Sequence, residues 1–541
     1  KCKSLLFEDI LRLDRRRRHM TTNAAHQRLN RIVSQMMQVD PASSNQIHAF
    51  NTVNLDPNQA IPTTDAARMY ASRQIPMFKP EVTQLLKPAE GISLGKVQTY
   101  HVPRLQDQMK LPTYPNRFVR IRGNGHTPTY SQLISPGEVV LVDIARKHGL
   151  TDDSARAMVR AGPRKEIVWS PGEVKAAIVT CGGLCPGLNN VVVSLWNTLY
   201  YNYGVEDIYG IKNGFGGFWK NEYRPWTKLT PQNTLGIGDL GGTVLGSARG
   251  GFDEEKIINA CLLHGVNQIY IIGGDGTHRA ATVVAEAAVK KGLKMAVVGI
   301  PKTIDNDIGI IDRSFGFNTA VAKAKEAIQS ALVEARCTPN GVGVVKLMGR
   351  HAGYITAHAT LAARSVDISI IPEIKFPLEG KDGFLEHLGG VLKNQGYAVV
   401  VVAEGGGSHL LNDTGEKDAG GNVVLPEIGK YLSEKMKSYF KKAGISASIK
   451  YHDPSYMIRS VPADADDAIY CQSIAQNAVH GAMAGYTAFT SGLVNNRTVL
   501  LPMKLVTATS PSFLNPMGRT WERVLSLTHQ PKWGMTTNSP K

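Results

Sequence analysis

The chain predicts an α/β fold of the doubly wound, three-layer kind, and two observations carry that expectation. The first lies in residues 268–307. Ile269 to Ile272 is a short, β-branched apolar run suited to a buried strand. Gly273-Gly274-Asp275-Gly276-Thr277 breaks it, and a helix is expected from about His278 to Lys291. A second apolar run, Met295 to Ile300, ends at Pro301 and empties into Lys302-Thr303-Ile304-Asp305-Asn306-Asp307. This is one βαβ unit, and both polar loops leave the carboxyl ends of parallel strands, where open α/β sheets bind ligands. The second observation is recurrence: apolar runs at Val174 to Val179, Gly341 to Leu347 and Gly396 to Ala403 each meet a glycine-containing loop.

The loop residues point to phosphate chemistry. Three glycines in five positions let the backbone approach a ligand, and N–H groups at a helix start hold phosphate oxygens. A carboxylate there is a poor phosphate neighbour without an intervening cation, which makes Asp275 a candidate magnesium contact. Asp305 and Asp307 alternate on the next loop, so one can take a proton while the other faces metal or solvent. GGDGT alone also suits an ordinary tight turn; the acidic loop one strand away tips the balance.

Length and composition bound the rest. A chain of 541 residues is long enough for three to four units of ordinary domain size. Net charge is +16, which fits nucleic acid or anionic substrates. Much of the excess sits in Arg12, Arg15, Arg16, Arg17 and Arg18, where aromatics are few, so no nucleic-acid partner is expected. No apolar run reaches the roughly 18 residues that span a bilayer, so no membrane partner is expected either. The six cysteines are scattered, and Cys181 and Cys185 lack a second pair at zinc spacing; reduced thiols follow.

Along the chain, residues 1–95 are rich in polar residues and read as an N-terminal arm, with one amphipathic helix at His26 to Met37. Residues 96–172 read as a small embellishing domain, with a short helix from Asp153 to Arg160. Thr180 to Asn190 is a glycine-rich turn before an apolar helix, Val191 to Tyr200, placed as a phosphate cradle that includes Gly183. Gly236 to Gly241 matches the dinucleotide fingerprint literally, but no strand precedes it and no helix follows, so it is set aside. Its continuation ends in Ala248-Arg249-Gly250, an arginine able to reach phosphate. Arg350 closes the 341–347 run beside Gly349, placed for an anion. Glu404 ends the 396–403 run, where it can bind sugar hydroxyls or cap a helix. Ser408 to Val424 is an excursion, and helices are expected over Leu425 to Lys442 and Asp464 to Thr487. Lys450, Tyr456 and Arg459 offer two cations and a phenol within ten residues. The tail after Pro511 reads as irregular.

Taken in order, GG…PGLNN, GGTVLGSAR, GGDGT, PKTIDND with MGR, and YMIR resemble the 6-phosphofructokinase family, across residues 174 to about 500. NAD kinases and lipid kinases share GGDGT but not the later loops. The resemblance implies two doubly wound (Rossmann-like) domains: residues 173–316 with 459–505 for ATP, and 317–458 for fructose 6-phosphate, followed by an extension over 506–541. It implies Asp305 as general base toward the sugar 1-hydroxyl, with Lys302 and Arg350 stabilising the transferring group. Thr303, Ile304, Met348, Gly349 and Glu404 would line the sugar pocket, and Lys450, Tyr456, Met457, Ile458 and Arg459 its 6-phosphate end. Gly183, Arg249, Gly250, Gly274, Asp275, Gly276 and Thr277 would hold nucleotide, with magnesium on Asp275. The family's phosphate-binding arginine from an adjoining subunit falls near Gly341 here, which is not basic.

Gly276 leaves space where a nucleotide α-phosphate passes, whereas pyrophosphate-using relatives carry Asp there. Lys302 is the residue those relatives carry in this loop. An ATP-type Gly276 with a pyrophosphate-type Lys302, the long arm and the excursion together resemble the ATP-dependent trypanosomatid branch. That branch implies a homotetramer, AMP as allosteric activator and residence in glycosomes. The chain ends Ser539-Pro540-Lys541, so an SKL-type address is absent or trimmed. A pyrophosphate-dependent enzyme and a catalytically silent sugar-phosphate-binding subunit are the alternatives.

Overall fold

The computed structural model describes residues 97–116, 133–144, 155–412, 415–417 and 423–534. The arm and its expected helix lie outside them. In chain order the strands are β1 (Val97–Thr99), β2 (Tyr114–Pro115), β3 (Val139–Leu141), β4 (Ala155–Arg160), β5 (Glu166–Ile167), β6 (Lys175–Thr180), β7 (Asp207–Ile211) and β8 (Thr227–Lys228). They continue with β9 (Gln268–Gly273), β10 (Ala296–Pro301), β11 (Gly341–Leu347), β12 (Ile368–Ile370), β13 (Tyr397–Ala403), β14 (Ser448–His452), β15 (Phe489–Val494) and β16 (Arg497–Pro502).

Ten of these form one sheet in the order β1-β4-β16-β15-β10-β9-β6-β7-β8, with β3 added on β4. Its five central strands, β15, β10, β9, β6 and β7, are parallel. The chain steps from β6 outward to β7, then returns to build β9 and β10 on the other side of β6. Strand order therefore reverses between β6 and β9, the place where open α/β sheets leave a crevice. A second, wholly parallel sheet runs β12-β13-β11-β14.

Both sheets are covered on both faces, which explains their near-continuous apolar strands. In β6, Ala176 and Ile178 enter one core while Ala177 and Val179 enter the other. In β11, Val342 and Val344 enter one core while Val345 and Leu347 enter another. Ile304 packs against one core of each sheet. The expected three-layer α/β architecture is what the chain adopts.

Two elements differ from expectation. The helix expected over Asp153 to Arg160 is strand β4. Its Ala and Arg residues favour helix locally, but pairing with β1, β3 and β16 overrides propensity. Through β1, β3 and β4, the described part of residues 96–172 extends the edge of the ten-stranded sheet. The tail after Pro511 is not irregular throughout: Arg519–Thr528 is a helix burying Trp521, Val524 and Leu525 in the second sheet's core. Beyond it, the buried Gln530 amide accepts from the Ser369 N–H at 2.7 Å and donates to the Ser369 carbonyl at 3.0 Å. That closes polar groups on the edge strand β12 which would otherwise seek another chain.

Candidate active site

The loops after β6, β9 and β10 meet at the strand-order reversal. They enclose a cavity of about 570 Å³ lined by Gly182, Gly183, Arg249, Gly250, Gly274, Asp275, Gly276, Thr277 and Lys302, among others. Each wall has a local cause. Gly182 sits at φ +87°, and a Cβ there would stand 3.5 Å from the Lys302 ammonium. The Gly273 N-terminal turn is tied to the next loop, because the Lys302 N–H donates to the Gly273 carbonyl at 2.9 Å. The helix Asp275–Lys290 begins within the motif, three residues earlier than expected, so its first N–H groups border the cavity. A Cβ on Gly276 would meet no atom within 4 Å; a larger side chain there would occupy the cavity itself.

Lys302 is only 7% exposed. Burial draws its ammonium below the ordinary range, and the Arg249 guanidinium adds to that, while Asp305 opposes it. Among the described residues no carboxylate forms an ion pair with it. Asp275 is held by Arg279 at 2.8 Å, one helical turn on.

The loop after β10 is rigidly braced. Thr303 donates from its hydroxyl to Asp307 at 2.6 Å, and the Ser314 N–H donates to the Asn306 side chain at 2.7 Å. Asp305 is left over: its Oδ1 is shut from solvent and has no hydrogen-bond partner. Burial pushes its carboxyl up to about 7, with the Asp307 and Glu404 carboxylates adding and Lys302 and Arg350 opposing. Those four groups therefore share one electrostatic neighbourhood with it. Burial likewise raises Asp307, and the Asp275 carboxylate contributes. The two acidic loops lie side by side, since a Cβ at Gly274 would stand 3.4 Å from the Lys302 carbonyl.

On the second sheet, Met348 is 7% exposed and packs in a core. Gly349 adopts φ +126°, a conformation open to glycine, and a Cβ there would lie 2.6 Å from the Ala352 carbonyl. Arg350 Nη2 donates to the Val423 carbonyl, so the excursion touches it. The Glu404 N–H donates to the Leu347 carbonyl at 2.8 Å, fixing the glutamate at the mouth of β13 beside β11. Arg459 stacks on the exposed Tyr456 ring, 4.8 Å from its centroid, and Met457 is exposed. Among the described residues no hydrogen bond or ion pair joins Lys450, Tyr456 or Arg459 to the Asp305 loop. Ile458 is a correction for its side chain, which is wholly buried in the core that also holds Phe317 and Leu347 and does not face a cleft.

Sequence reasoning missed several residues. Phe215, Phe252, Ala280 and Val283 supply an apolar side of the cavity, and Phe215 and Phe252 meet edge-on at 5.4 Å. Gly214-Phe215-Gly216-Gly217-Phe218 was a visible glycine-aromatic cluster, but nothing local says that Phe215 lines the same cavity as the helix after β9. Lys346, 8% exposed, binds Asp453 at 2.8 Å and Glu427 at 3.2 Å. It thereby ties β11 to the end of the excursion and to the start of the Tyr456–Arg459 turn.

A doubly wound fold with a glycine-lined cleft at the reversal and a buried aspartate one loop away defines a phosphoryl-transfer class. The phosphofructokinase family matches residues 175–496, and the chain belongs to that family. It is 46% identical over 441 residues to ATP-dependent 6-phosphofructokinase 7 of Arabidopsis thaliana, covering 80% of this chain and 88% of the relative. Against the ATP-dependent 6-phosphofructokinase of Trypanosoma cruzi it is 39% identical over 371 residues, 68% of this chain and 76% of the relative. Among solved structures, a pyrophosphate-dependent phosphofructokinase from Marinobacter aquaeolei shares the fold at TM-score 0.55 and 20% identity, covering 68% of this chain and 94% of that one.

Proposed function

We infer that the chain is an ATP-dependent 6-phosphofructokinase, moving the γ-phosphoryl of ATP to O1 of fructose 6-phosphate to give fructose 1,6-bisphosphate and ADP. The observation that carries the chemistry is Asp305: a buried, unpartnered carboxylate oxygen one loop from a glycine-lined cleft. In the transfer, O1 forms a bond to the γ-phosphorus, the bond to the β-bridging oxygen breaks, and the hydroxyl proton passes to Asp305. An acceptor near neutrality is suited to that late proton transfer. Lys302, Arg249 and Arg350 offset charge on the transferring group.

Magnesium fits the donor set. Asp275 and Asp307 are two carboxylates on adjacent loops, and magnesium is commonly held by one or two carboxylates with substrate phosphates and water completing its shell. When bound with ATP it supplies charge neutralisation at the phosphate oxygens; Asp275 would exchange Arg279 for it. We read residues 173–316 with 459–505 as the nucleotide domain and 317–458 as the sugar domain, with Lys450, Tyr456 and Arg459 toward the 6-phosphate.

Gly276 favours ATP over pyrophosphate because a side chain there would enter the cleft. The buried Lys302 keeps the pyrophosphate reading as the alternative. A coupled assay decides: turnover with ATP at least tenfold above that with pyrophosphate is expected, and the reverse ratio rejects the donor assignment. A homotetramer activated by AMP, and glycosomal residence, rest on the trypanosomatid likeness. Light scattering, AMP titration and cell fractionation test them separately.

A further inference from the structure

His278 lies one residue beyond the Gly273–Thr277 motif, is 1% exposed, and has no role in the chemistry above. Its ring spans two segments. Nδ1 is 2.9 Å from the Gly274 carbonyl, and Nε2 is 3.0 Å from the Thr490 hydroxyl on β15. Thr490 in turn lies 2.7 Å from the Gly299 carbonyl on β10. The ring rests on Gly299 itself, where a Cβ would come within 2.6 Å of Nε2.

Counting hydrogens assigns the tautomer. A carbonyl only accepts, so Nδ1 must carry the proton that reaches Gly274. Burial keeps the ring neutral, drawing its proton affinity below the ordinary histidine range. Nε2 is then an acceptor facing the Thr490 hydroxyl, whose single hydrogen goes to the ring or to the Gly299 carbonyl but not to both, the carbonyl contact being the shorter. The imidazole thus clamps the Gly274 peptide to β15 and lies over β10 three residues before Lys302. The Gly274 turn and the Lys302–Asp307 loop are the two walls whose separation sets the phosphate cleft, and a Cβ at Gly274 would stand 3.4 Å from the Lys302 carbonyl.

We propose that His278 is a positioning residue that sets the spacing between the Gly274–Thr277 turn and the Lys302–Asp305 loop, and so the fit of MgATP, through Gly274, Thr490 and Gly299. It rests on the reading of this cleft as the nucleotide site. It touches no substrate atom and acts through the backbone it holds.

The test is steady-state kinetics on the full chain with both substrates varied. Thr490→Val keeps the shape and removes the hydroxyl; it raises KM for MgATP about tenfold, the scale expected when a phosphate cradle shifts by a fraction of an ångström. KM for fructose 6-phosphate stays within about twofold, because the second sheet is not involved. Thr490→Ser restores the hydroxyl and returns KM for MgATP to the wild-type value. Gly299→Ala, which drives a methyl into the ring, reproduces the selective MgATP defect. Equal rises in both KM values, or a folded Thr490→Val protein with wild-type KM for MgATP, overturn the proposal. Failure of the wild-type chain to turn over ATP strikes the nucleotide reading instead, and is seen before any variant is made.

Discussion

The two sheets hold their charges in opposite ways. On the ten-stranded sheet, Lys302 is buried at the cleft without a carboxylate ion pair among the described residues, and Gly276 borders open space. On the four-stranded sheet three cations have partners: Lys346 with Asp453 and Glu427, Arg350 with the Val423 carbonyl, Arg459 on Tyr456. The nucleotide side therefore keeps one buried cation without a carboxylate partner and exchanges only the Asp275–Arg279 pair, while the sugar side exchanges contacts at several cations. On the proposed reading, the cation without a carboxylate partner at the first keeps binding energy for the transition state, and a sugar phosphate taking Arg350 would release the Val423 carbonyl.

The sharpest way to break this contrast is at Asp305, where the walls meet. Asp305→Ser lowers kcat by roughly 10²–10⁴, the span of a general base, with a smaller change in ATP affinity. Near-wild-type kcat would remove Asp305 from the proton-transfer role. Gly276→Asp fills the open half: kcat/KM for ATP falls by about 10² or more, since like charges within a few ångströms in a poorly solvated cleft cost several kcal/mol. Unchanged ATP efficiency in that variant refutes the spatial account of donor choice.

Lys346→Met probes the engaged half. It leaves Asp453 and Glu427 unbalanced beside the loops proposed to hold the sugar phosphate. KM for fructose 6-phosphate rises about tenfold, equal to ~1.4 kcal/mol of repulsion, and KM for MgATP does not move. A matching rise for ATP means that the two halves are not independent. The pH dependence is subtler. Asp305 must be ionised to act, so kcat/KM falls as pH drops through about 7.

Stability runs the other way. With the folded carboxyl near 7 and the unfolded one near 3.8, the fold holds the extra proton between those values and loses stability as pH rises through them. Asp305→Asn thus raises Tm at pH 8 by about 2–6 °C, and the gain shrinks toward pH 4. A Tm difference that does not depend on pH contradicts a buried, raised carboxyl.

Much of this was legible in the chain. The βαβ unit at 268–307 needed only two apolar runs and two polar loops, and β11 spans Gly341–Leu347 as its residues suggest. Strand β4 was illegible because Ala and Arg favour helix unless partners such as Val499 and Val97 are present. The Arg519–Thr528 helix was legible and overlooked: Trp521, Val524, Leu525 and Thr528 repeat at helical spacing. Ile458 was misplaced because motif membership does not say which way a side chain points; the one-turn helix aims it into the core.

Local chemistry alone determined that glycine-rich turns follow buried parallel strands, and that Asp275, Asp305 and Asp307 occupy consecutive strand-end loops, because turn and strand preferences act over a few residues. Only tertiary packing decided that Asp305 loses its solvent and its partners, that Lys346 meets Asp453 and Glu427 across 107 and 81 positions of chain, and that His278 finds Thr490. Those outcomes depend on desolvation and on long-range juxtaposition, and neither is encoded in any stretch short enough to read by itself.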